Sequence, residues 1–190
     1  MCIAFASWAS VPVQPKVTKQ VALIIAFYDF HPIEYYDTKA VLEKAGFQIT
    51  TVSNYQGIAR ASDDSTVKTD CGFITFDCLK YDAIVLIGGA GSPRNLDQKQ
   101  VHTILQKAVQ AKKIIGAICY TPRILAHADV IRGKKLTGWN DDMALDQILN
   151  EAGATYLPKD VLIDGTLVTA DGPEAAVKFG NDLITLLNAR

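Results

Sequence analysis

Of the four cysteines in this chain, Cys119 stands where chemistry is easiest to build. It follows Ile114 to Ile118, a run of β-branched or small residues, and precedes Pro122, with Ile124, Leu125 and Ala128 recurring at helical spacing. The pattern predicts a strand that runs straight into a helix, with Cys119 on the elbow between them. A side chain at such a turn is pushed out above the sheet, facing backbone N–H groups that have no partner in the first helical turn. Those donors and the positive end of the helix dipole favour thiolate, lowering a thiol pKa from about 8.5 to roughly 3.5–7.5. The same residues also fit an inert thiol, because cysteine is among the most buried residue types.

Other residues fall where they can serve such a nucleophile. Glu34 opens the first expected helix, just after the first strand, and a protonated carboxyl there can donate to the sulfur. It fits equally well as an acid placed at a helix N-terminus. Gly88 and Gly89 end another strand, where a missing Cβ lets a backbone N–H approach an oxyanion, or simply allows a tight exit. The segment GGAGS matches neither GxGxxG nor a P-loop, so nothing points to a dinucleotide or a triphosphate. Of the three histidines, His31 is near Glu34 and is the candidate base; His102 and His127 read as surface or packing residues on helices. Tyr120 is placed to close a pocket or donate its hydroxyl, and Trp139 and Asn140 end a short strand that can line the same site.

The elements that must position these groups alternate. Strands are expected at Val21 to Phe27, Phe47 to Ser53, Ala83 to Ile87, Ile114 to Ile118 and Lys134 to Thr137. Tyr28 to Pro32 is turn-rich, and helices are expected after it through Ala45, over Asp97 to Ala111, after Pro122, over Asp141 to Ala152 and over Pro173 to Leu187. Asn54 to Lys80 reads as an excursion with strand pieces near Thr66 to Lys68 and Phe73 to Thr75, and Val161 to Thr169 as a hairpin turned at Asp164 and Gly165. Alternation of this kind predicts right-handed βαβ units in an α/β, doubly wound, mostly parallel sheet covered by helices on both faces. Ligands then bind at the carboxyl ends of the strands, where Asp29 to Glu34, Gly88 to Ser92 and Cys119 all fall.

Composition narrows the partners. A chain of 190 residues with a net charge of −1 suits one sizeable core and gives no basic surface for nucleic acid. Cys2, Cys71, Cys78 and Cys119 form neither CxxC pairs nor a His cluster, so no metal, no disulfide framework and a reducing cytoplasm are expected. Residues 1–19 form an apolar N-terminal extension, without a basic start and too short to span a bilayer, that can add a strand or helix; 20–190 are expected to form the single domain.

Taken together, EYYDTKAVLEKAGFQIT, YDAIVLIGGAGSPRNL, AICYTPRILAHADVIRGKKLT, DDM and DVLIDGTLVTADGP resemble, in order, the segments of the PfpI/DJ superfamily. The resemblance runs from about Val21 to Leu187. It implies a flavodoxin-like sandwich related to class I glutamine amidotransferases, a homodimer, Cys119 as nucleophile, Glu34 as its partner and Gly89 as a backbone donor. The chain also departs from the family. Tyr120 stands where peptidase members carry His, Tyr120 and Thr121 replace the Ala/Thr–Gly of many others, and Trp139 and Asn140 occupy the neighbourhood of a frequent pocket histidine.

Without that histidine to protonate a leaving amine, peptide hydrolysis is not expected. The expected activity is cofactor-free, glyoxalase- or deglycase-like chemistry, in which the thiolate adds to a small reactive aldehyde or glycated adduct. The alternative is a redox-sensing or stress-response protein in which Cys119 is oxidised without turnover. Glutamine amidotransfer lacks a His-x-Glu pair after Cys119, and a flavodoxin-type FMN carrier lacks a phosphate loop.

Overall fold

The structure, a computed structural model, describes residues 18–190. Most of the N-terminal extension therefore lies outside the described residues. Four apolar runs form the centre of the sheet: β1 (Gln20–Ile25), β7 (Ala83–Leu86), β8 (Ile114–Ile118) and β12 (Leu167–Ala170). Between and around them, in chain order, come β2 (Tyr28–Phe30), α1 (Pro32–Lys44), β3 (Gln48–Ser53), β4 (Ile58–Ala61), β5 (Thr66–Lys68) and β6 (Cys71–Gly72). After β7 follow α2 (Ser92–Asn95), α3 (Lys99–Gln110), and after β8 α4 (Pro122–His127), β9 (Lys135–Leu136), α5 (Leu145–Glu151), β10 (Thr155–Tyr156) and β11 (Val161–Asp164). The chain closes with α6 (Ala176–Asn188) after β12.

Seven strands pair in the order β11-β12-β8-β7-β1-β3-β6, all parallel except the edge pair β11 and β12. Parallel strands buried on both faces read as continuous apolar runs, and β7 and β8 are buried at every residue. Successive residues of β8 show the two covered faces. Gly116 faces α6, where a Cβ would press on Phe179 and Leu183; Ile115 faces the other way, toward Val109 of α3 and Leu125 of α4. This is the doubly wound sandwich expected from the alternation of elements.

Local differences have local causes. The excursion does carry a hairpin, β4 with β5, but its other piece is Cys71–Gly72, which adds to the main sheet in parallel with β3, while Phe73 to Thr75 is a turn. The segment after β1, expected as a turn, contains β2, which pairs with β4 and builds a small three-stranded sheet. The helix after Cys119 is short: α4 stops at His127, with Ala128 as its C-cap, and Asp129 takes a left-handed φ of 54°.

Candidate active site

The loops after β7, β8, β9 and β12 and the start of α1 meet around Cys119. The cysteine follows β8 directly, and its own backbone is strained, with φ of 63° in the left-handed region that L-residues avoid. Its position is fixed from both sides: Cys119 N–H donates to Ala170 O at 2.9 Å, and Cys119 O accepts from Trp139 N–H at 2.9 Å. The chain thus turns out of the sheet plane and carries the thiol with it. The thiol is partly exposed and opens on a cavity of about 540 Å³ lined by His31, Trp139, Asn140, Tyr156, Asp171 and Glu174, among others.

Glu34 is the buried partner. It is in the first turn of α1, with no exposed surface, and its Oε2 accepts a 2.9 Å hydrogen bond from Gly88 N–H. The same carboxyl lies against the Cys119 side chain, and its Oε1 is buried without a hydrogen-bond partner. Burial raises Glu34 to about 7, against the lowering effect of the bonds from Cys119 and Gly88. Burial also pushes the Cys119 thiol up to about 12, followed by the Glu34 charge, while N–H groups of Tyr120 and Gly89 pull it down. The two acids therefore share a pocket that holds one negative charge comfortably and two badly.

Against the thiolate expected from a helix dipole, two local causes act. α4 spans six residues and has little dipole to offer, and desolvation beside a carboxylate outweighs two backbone donors. A thiolate forms here when Glu34 holds the proton. Gly88 also differs from expectation: its N–H is committed to Glu34, leaving Gly89 and Tyr120 as the backbone donors that face the sulfur. Gly89 has φ of 121°, and a Cβ there would lie 2.5 Å from both Asp29 O and His31 N. Only glycine brings this amide so close to the start of α1.

The remaining sequence-derived residues sort clearly. His31, the N-cap of α1, lines the cavity; its Nδ1 is buried without a hydrogen-bond partner. Burial lowers its pKa below 6.5, opposed by Glu174 and Asp63, which favours the neutral imidazole near neutrality. Trp139 and Asn140 line the cavity as expected. Asn140 Oδ1 accepts from Leu145 N–H at 2.8 Å and so fixes its loop to the start of α5. The Tyr120 side chain does not line the cavity; its ring stacks on Arg123, whose Cζ is 5.0 Å from the ring centroid. His102 and His127 bind opposite oxygens of Asp97, at 2.7 and 2.6 Å, and take no part in the cavity wall.

Two contributions were not read from the sequence. Arg123, buried behind the cysteine, has its guanidinium between Tyr120 and Trp139, bonds Trp139 O at 3.2 Å and grips both oxygens of Asp142 at 2.8 and 2.6 Å. It ties the loop bearing Trp139 to the nucleophile's helix. The second is the loop Asp171 to Glu174, which forms one wall. Its signal was the position of Asp171 immediately after a buried strand, the same position that Cys119 occupies after β8.

A cysteine strained onto an elbow, with an acid buried beneath it at the rim of a parallel sheet, places the molecule among nucleophile-elbow α/β sandwiches. Within that class the chain belongs to the DJ-1/PfpI family, whose model matches residues 19–186. It is 31% identical over 168 residues to an uncharacterized protein of Methanocaldococcus jannaschii, covering 87% of this chain and 80% of that one. It is 27% identical over 176 residues to protein/nucleic acid deglycase 2 of Escherichia coli, covering 91% of this chain and 100% of the relative. The crystal structure of a ThiJ/PfpI domain protein from Brachyspira murdochii superposes with a TM-score of 0.85 at 24% identity, over 91% of this chain and 98% of the other. No helix among the described residues is long and apolar enough to cross a membrane.

Proposed function

We propose that the protein is a cysteine-dependent enzyme acting on small reactive aldehydes or glycated adducts, working in the cytoplasm as a homodimer and without metal or cofactor. The observation that carries this reading is the pairing of Cys119, which lines a cavity of about 540 Å³, with the buried carboxyl of Glu34 behind it. Deglycase relatives support the substrate class.

With a 2-oxoaldehyde the steps balance as follows. Glu34 carboxylate takes the thiol proton, the sulfur adds to the aldehyde carbon, and the carbonyl electron pair moves to oxygen, which takes the proton back from Glu34. Gly89 and Tyr120 N–H groups are the available oxyanion donors. Glu34 carboxylate then moves the proton of the former aldehyde carbon to its neighbour, while the hydroxyl proton passes to the former ketone oxygen, leaving the thioester of a 2-hydroxy acid. Water hydrolyses it to the 2-hydroxy acid and restores the thiol. A raised Glu34 pKa of about 7 suits a group that must both accept and donate near neutrality. Peptide bonds ask more, since an amine must be protonated as it leaves, and the Tyr120 phenol is a far weaker acid than an imidazolium and stacks on Arg123 off the cavity wall.

Methylglyoxal consumption by wild type, Cys119→Ala and Glu34→Gln tests the reading. Loss of turnover in both variants is expected. Undiminished consumption by Cys119→Ala overturns it, and conversion of Cys119 to sulfinate by peroxide with no aldehyde loss in any of the three proteins favours the redox-sensing alternative.

A further inference from the structure

The wall of the cavity that faces Cys119 is acidic. Asp141, Asp171 and Glu174 are among its lining residues, with the rings of Trp139 and Tyr156, and no lysine or arginine is. The carboxylates come from two loops, one after β9 and one after β12, so the arrangement belongs to the cavity and not to a single acidic stretch. Cations close by are engaged elsewhere. Arg123 is held bidentately by Asp142 behind Trp139, and Lys178, in a second recess of about 290 Å³ shared with Asp160, Asp171 and Glu174, pairs with Asp182 at 2.7 Å. His31 is the one basic group on the wall, and it faces Glu174 and Asp63. A separate observation points to a ligand in this space: on its wall His31 Nδ1 is buried without a hydrogen-bond partner, and behind the Cys119 thiol fully buried Glu34 keeps Oε1 unpartnered as well.

We propose that this acidic wall selects cationic electrophiles, meaning carbonyls or adducts carried beside a protonated amine or guanidinium, over anionic ones such as 2-oxo acids. The inference rests on Cys119 being the nucleophile, as argued above, and adds the charge of what it attacks. Each carboxylate alone is screened by water, but a concave wall of one sign focuses the field and raises local concentrations of the opposite charge by about tenfold or more. The faces of Trp139 and Tyr156 attract the same ammonium or guanidinium groups through their ring quadrupoles. Anions meet carboxylates on the wall and the negative charge shared by Cys119 and Glu34 behind it.

Methanethiosulfonate reagents carrying a trimethylammonium, a plain methyl or a sulfonate group measure this field without turnover. In each, the thiolate forms a disulfide with the reagent's thio group and methanesulfinate leaves. Rates at Cys119, followed by mass mapping and normalised to the same reagents on free cysteine, are expected to favour the cation over the anion by about tenfold at low ionic strength. The preference should shrink at high salt and in Glu174→Gln, an exposed position that leaves the fold untouched. A normalised ratio at or below one, or a ratio indifferent to both salt and Glu174→Gln, overturns the proposal. A cation preference without any aldehyde turnover leaves it standing and removes the enzymatic reading. If even the neutral reagent labels Cys71 before Cys119, both fall.

Discussion

Gly88 donates its backbone N–H to Glu34, and that 2.9 Å bond holds a carboxyl group in a place where its charge is costly. Raising the Glu34 pKa from 4.5 to about 7 corresponds to about 3 kcal/mol against folding once the group must ionise. The sign is that of a carboxyl favoured in its protonated form. Below pH 4.5 the cost is absent, it grows between 4.5 and 7, and it is complete above 7. Glu34→Gln keeps an acceptor for Gly88 and cannot ionise. Thermal unfolding should therefore show this variant about 5–10 °C more stable than wild type at pH 8 and no different at pH 4. Equal melting temperatures at pH 8 would mean that the carboxylate is not desolvated.

The same pair controls the thiol. Glu34→Gln removes the negative neighbour and keeps a donor, so Cys119 should ionise well below about 12; Glu34→Leu removes charge and donor together and should fall between the two. Thiolate absorbance against pH orders the three proteins. A Cys119 titration identical in all of them excludes contact between carboxyl and sulfur.

Arg123 is 5% exposed in its side chain and has one carboxylate partner among the described residues, Asp142. Asp142→Asn should cost about 1–3 kcal/mol by leaving a buried guanidinium half satisfied, and should loosen the Trp139 loop. We expect a higher KM with kcat little changed, read from aldehyde kinetics beside denaturant unfolding. A kcat loss at constant KM would show that the ion pair serves the chemistry and not the wall.

Proteolysis should be absent. Fluorogenic peptides and casein are expected to survive incubation with wild type; cleavage that disappears in Cys119→Ser contradicts the assignment.

Much of this architecture is legible in the chain because parallel strands buried on both faces must be continuously apolar. Val21 to Ile25, Ala83 to Leu86 and Ile114 to Ile118 announce themselves, and a cysteine at the end of one of them announces a site. What stayed hidden depends on tertiary neighbours. The three-residue strand Tyr28–Phe30 exists because β4 lies beside it, not because of its own propensity. Arg123 looks like any helical cation until Asp142 folds back across it. The thiol's raised pKa could not be read from an elbow and a helix start, because desolvation and a neighbouring charge are set by burial, which spacing does not reveal.

The left-handed backbone of Cys119 has a consequence for how this chain can change. A non-glycine residue held at φ 63° stores about 1 kcal/mol or more that Cys119→Gly would release. Glu34 is likewise a residue whose neutral replacement should make the protein harder to unfold. The two groups that define the site are thus uphill in stability, in the same small volume. Selection for folding alone would therefore favour replacing both, so the site's chemistry and the chain's stability pull in opposite directions at these two positions.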